Sequence, residues 1–170
     1  MTNENAKKIG SKQGLISAGL GLLIAQLIMT SFISIDKDFA EAFFWFNSID
    51  YKLNIIIGGG IMLFCGHLYG EFAGKAILIK KKNFIIAGCL CGIAVLLTTA
   101  FLAGWTGFIQ QGIHNTKSIN KSFVDYIFKP FLWITMFGAM PALIVGILLG
   151  VQIKAKGRKL EGIHSLHERK

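Results

Sequence analysis

The chain has 170 residues, of which 53% are hydrophobic and only 16% charged, against roughly 25% charged in a typical soluble domain. That length suits one domain, and with only 2 Pro and most of its 20 Gly clustered in apolar segments it excludes a disordered low-complexity chain. The net charge of +9 does not point to nucleic acid, because the basic residues cluster at the ends of apolar runs, as membrane-topology signals do, without aromatic residues placed to stack on bases.

Residues 1–13 are polar, with Lys7, Lys8 and Lys12, and read as a cytoplasmic segment. Residues 15–35 form an apolar run of about 20 residues, enough to cross a bilayer. The run is too long for a signal peptide, and no A-x-A-like cleavage site follows it. Residues 36–52 make a first loop. Its Phe39, Phe43 and Phe46 recur at helical spacing, which predicts either a short interfacial helix or a re-entry into the second span.

The second span covers residues 53–79 and is long enough to tilt. Lys80, Lys81 and Lys82 close it. A turn leads to a third span, 84–108, with no charged residue. Residues 109–129 are polar again and include His114. Pro130 is expected at the first position of the fourth span, residues 130–153. Residues 154–170 form a basic tail. Thirteen basic residues fall in the two termini and the short turn, Lys75 included, and five in the other two loops. The positive-inside rule then places both termini in the cytoplasm. Trp45, Trp105 and Trp133 fall at the opposite interface, where amphipathic rings prefer to sit. The expected fold is an all-α integral membrane protein of four transmembrane helices, N-in/C-in. The abundance of Lys, Ile, Asn and Phe favours a bacterial inner membrane.

Membrane helices associate by close backbone approach, which small residues at four-residue spacing permit. The first span carries Ser17, Gly21 and Ala25; the second Gly66, Gly70 and Gly74, preceded by Gly58; the third Gly88 and Gly92; the fourth Gly138, Ala142, Gly146 and Gly150. These rows are expected to pack helices within the bundle, against a second copy, or against another membrane protein. The stretches SIDYK (48–52) and FVDYIFK (123–129) each precede a span with such a row. They suggest a duplication of about 75 residues into two parallel hairpins.

The polar ladder His67, Glu71, Lys75 lies beside Gly66, Gly70 and Gly74 on the second span. Intramembrane charge is costly, on the order of 2.5–3.5 kcal/mol at a helix centre, so such residues are buried against protein or water. His67 and Glu71 at i, i+4 can meet, and Lys75 can pair with Glu71 or reach the headgroups. One reading is a proton or cation relay; the other is a polar cluster that fixes packing or pairs with a partner. Haem lacks a second mid-membrane His and no cofactor is expected. Cys89 and Cys91 stand about 200° apart on a helix and, like Cys65, read as packing residues. His164 and His167 in the tail read as solvated. No enzymatic motif is present. The expected function is a non-enzymatic subunit or assembly partner packing through the glycine ladders; the alternative is a small proton- or cation-linked transporter using His67 and Glu71.

Overall fold

The computed structural model describes the backbone of residues 1–48, 52–109 and 119–167, and the side chains of 1–46, 53–109 and 121–160. Asp50, Tyr51 and the loop residues from Gln110 to Lys117, His114 among them, lie outside the described residues, as do the side chains of His164 and His167. All regular structure among the described residues is helical: α1 (Asn3–Ile33), α2 (Phe39–Phe43), a 3-10 turn (Trp45–Ser48), α3 (Lys52–Leu78), α4 (Phe84–Gly107), α5 (Ile119–Phe123), a π-helical turn (Val124–Phe128) and α6 (Lys129–His167). Four helices are long and apolar enough to cross a membrane: Asn3–Ile33, Leu53–Leu78, Phe84–Gly107 and Lys121–Leu160.

Two helix pairs form the bundle, and in each the backbones meet. Gly10 and Gly14 of α1 lie against Gly66, Gly70 and Gly74 of α3. A Cβ on Gly70 would stand 2.5 Å from the Gly10 carbonyl oxygen and 2.9 Å from Gly14 Cα. Gly88 and Gly92 of α4 lie in the same way against Ala142, Gly146 and Gly150 of α6, where a Cβ on Gly146 would stand 2.6 Å from the Gly88 carbonyl oxygen. The contacts repeat in register. Gly10 meets Gly70 and Gly74 as Gly88 meets Gly146 and Gly150; Gly14 meets Gly66 and Gly70 as Gly92 meets Ala142 and Gly146. The displacement is 78 residues in the first helix of each pair (10 to 88) and 76 in the second (70 to 146). α3 also packs on α4, and α1 on α6, which closes a ring of four. Cys65, Ala73, Ile77, Cys91, Val95, Leu149 and Ile153 form its buried core.

Several expectations need correction. The backbone contact of α1 on α3 is made by Ala6, Gly10, Gly14 and Ala18; of the expected row Ser17, Gly21 and Ala25, Gly21 meets the Met62 side chain of α3. α1 begins at Asn3, so its first turns, polar on their outer face, supply the small residues that meet Gly66, Gly70 and Gly74. Pro130 does not open a helix. It sits at the second residue of α6, behind the π-helical turn, where the Lys129 N–H bonds Val124 O. A helix-interior proline clashes with the carbonyl four residues back, and a π turn widens the ladder there. α6 continues through the basic tail to His167.

Local chemistry explains the ends. The Thr2 hydroxyl accepts from the Asn5 N–H to cap α1, and the Asn83 side-chain Oδ1 accepts from the Ile85 N–H to cap α4, the N-cap role both residue types favour. Between α3 and α4 the Lys82 N–H reaches Ala76 O, a Schellman-like closure. Lys81 takes φ 49° there, a conformation glycine adopts more cheaply. At the other end α2 folds back on α1. Gln26 Nε2 donates to Phe43 O at 2.8 Å and Trp45 Nε1 donates to Gln26 Oε1 at 3.1 Å.

Candidate functional site

The α1–α3 pairing brings together residues 56 apart in sequence. Ser11 follows Gly10 on α1 and His67 follows Gly66 on α3, so the close backbone approach that the glycines allow sets the two side chains side by side. Ser11 Oγ lies 2.5 Å from His67 Nδ1. His67 Nε2 in turn stands 3.5 Å from Glu71 Oε1, a separation longer than a usual hydrogen bond and within reach of an ion pair.

The Ser11 hydroxyl and His67 Nδ1 share a hydrogen bond whose direction depends on the tautomer. The Glu71 carboxylate stands beyond hydrogen-bond length from Nε2 and pairs with it as an ion only when the imidazole is protonated. Ser11 is buried, 8% exposed, whereas the His67 and Glu71 side chains are 41% and 33% exposed. The stripe lies on the perimeter of the bundle between exposed Phe64, Leu68 and Phe72. Lys75, one turn on, makes no ion pair among the described residues.

Sequence reasoning singled out His67, Glu71 and Lys75 but missed Ser11. Its only signal is its place beside Gly10, in the row Ala6, Gly10, Gly14, Ala18. The glycine ladders meet within the chain: Gly66, Gly70 and Gly74 against α1, Ala142, Gly146 and Gly150 against α4. Gly138 rests instead on the Leu96 side chain, 2.7 Å from where its Cβ would be. Cys65 and Cys91 are buried free thiols. No group of three His, Cys, Asp or Glu side chains that could hold a metal occurs among the described residues.

A second feature lies between the pairs. An apolar trough of about 640 Å³ runs between α1 and α6, with α4 and α3 at its floor. The row Ser17, Gly21, Ala25 lines it, as do Gly138, Pro141 and Ala142 from α6. Neither His67 nor Glu71 does.

Fold and site together define an all-helical protein with four candidate membrane-spanning helices and an outward polar stripe on the second of them. Comparison with family models, curated proteins and solved structures returns no match.

Proposed function

We propose that the chain is a non-enzymatic subunit of a membrane assembly, both termini cytoplasmic, which docks on its partner through the polar stripe of α3. The observation that carries this reading is the outward aspect of His67 and Glu71, 41% and 33% exposed on an otherwise apolar perimeter. α3 has 27 residues, about 40 Å of helix, against about 30 Å of hydrocarbon. Reckoned from Leu53, that thickness ends near Phe72, so Glu71 lies at the lysine-bearing boundary and His67 about one turn inside it. His67, inside that boundary, faces lipid at a cost that grows toward the bilayer centre. A partner helix offering donors or a cation would relieve that cost.

The glycine ladders contribute by making each hairpin rigid, not by presenting a surface. The repeated register, 78 and 76 residues apart, supports a duplicated hairpin whose copies run parallel about an axis along the membrane normal. The partner is a second copy or another membrane protein of the same, bacterial inner, membrane. No cofactor enters this reading.

A second reading draws on the Ser11–His67–Glu71 chain itself: three groups in sequence form a short proton relay at one face of the bundle. The two separate in one experiment. Native mass spectrometry of the tagged chain, released gently from its membrane, should show a heteromeric or homomeric complex that Glu71→Gln and His67→Ala dissociate. A wild-type monomer overturns the subunit reading. If that monomer, reconstituted in vesicles, shows a proton flux that Glu71→Gln abolishes, the relay takes its place.

A further inference from the structure

The trough between α1 and α6 has a basic mouth. From Gly14 to Phe32 it follows α1 for about 27 Å, close to the hydrocarbon thickness. One residue before Gly14, and two turns beyond the last α6 residue of the trough, a second pocket of about 200 Å³ opens between the same two helices. Lys8 and Lys12 of α1 and Lys156 of α6 line it, with Asn5, Gln13 and Leu160. Lys8 and Lys12 are at i, i+4 and so share a face. None of the three lysines has a carboxylate partner among the described residues.

We propose that the α1–α6 seam binds one anionic glycerophospholipid, with its phosphate at Lys8, Lys12 and Lys156 and an acyl chain in the trough. It rests on the bundle spanning a bilayer, not on the docking role of α3. Basic pockets between transmembrane helices suit anionic headgroups. Lysine serves phosphate as a point charge. The lysines decide against a partner helix, because a phosphodiester carries the negative charge that an apolar membrane helix lacks. A free phosphate would answer the lysines and leave the trough empty.

The test is native mass spectrometry of the full chain, delipidated in detergent and titrated with phosphatidylglycerol or phosphatidylcholine of matched chains. One phosphatidylglycerol per chain should be retained, at least tenfold in preference to phosphatidylcholine. Lys8→Gln, Lys12→Gln and Lys156→Gln together should weaken its retention about 100-fold. These side chains are exposed, so circular dichroism should show the helices unchanged. Ala25→Phe, which fills the trough, should weaken phosphatidylglycerol with the lysines intact. Equal retention of the two lipids, or a triple variant that binds as the wild type does, overturns the proposal. So does millimolar inorganic phosphate displacing the lipid while Ala25→Phe has no effect, since that describes an anion site alone. A co-purifying helix seated in place of lipid also overturns it.

Discussion

Gly70→Ala tests the α1–α3 seam with a single methyl group. The new Cβ would lie 2.5 Å from the Gly10 carbonyl oxygen and 2.9 Å from Gly14 Cα, both backbone atoms that cannot swing away. Reaching an ordinary contact of 3.4 Å means parting the helices by about 0.9 Å, a gap that forfeits up to half of the dispersion well at each affected contact. The neighbouring rungs, Gly14 on Gly66 and Gly10 on Gly74, open with it. Overpacking of this kind costs about 1–3 kcal/mol, and with three rungs involved we expect about 2–3 kcal/mol. Gly60→Ala is the control: its Cβ would meet nothing within 4 Å, so it should be neutral or gain up to about 1 kcal/mol of helix propensity. The assay is reversible unfolding in mixed micelles against the mole fraction of dodecyl sulfate, followed by circular dichroism. Coincident midpoints for the two variants would refute the pairing. A Gly70→Ala chain that unfolds normally yet leaves an oligomer would put this ladder on a partner instead.

The α4–α6 seam predicts the same loss, about 2–3 kcal/mol, for Gly146→Ala, whose Cβ would stand 2.6 Å from the Gly88 carbonyl oxygen; the same titration reads it. Ser11→Ala removes the hydroxyl 2.5 Å from His67 Nδ1 and should destabilise by about 1 kcal/mol, whereas Glu71→Gln replaces a lipid-facing carboxylate by an amide and should leave stability unchanged or raise it. Lys81→Gly relieves a left-handed residue at the α3–α4 turn and should raise stability by up to about 1 kcal/mol; a lower unfolding midpoint would contradict that. Gln26→Leu removes both bonds that hold the α2 segment to α1. Amide exchange over residues 38–46 should then rise while the four long helices keep their protection.

The four long helices and the lysine clusters at their ends were legible from sequence, because continuous apolar runs of bilayer length have few other uses. The polar stripe was legible too, since charge inside such a run stands out. Which faces meet was not. α1 carries two small rows offset by a few residues, and a row of small side chains states only that something can come close. Ala6, Gly10 and Gly14 were hidden among lysines that face outward from the same helix. Tertiary structure alone placed that row on α3, turned Ser17, Gly21 and Ala25 toward a trough, and set Ser11 against His67. The reason is physical. Membrane insertion depends on the summed hydropathy of one segment, a local property of sequence. Helix pairing depends on backbone fit between segments dozens of residues apart, and that is decided only when all four helices share one bundle.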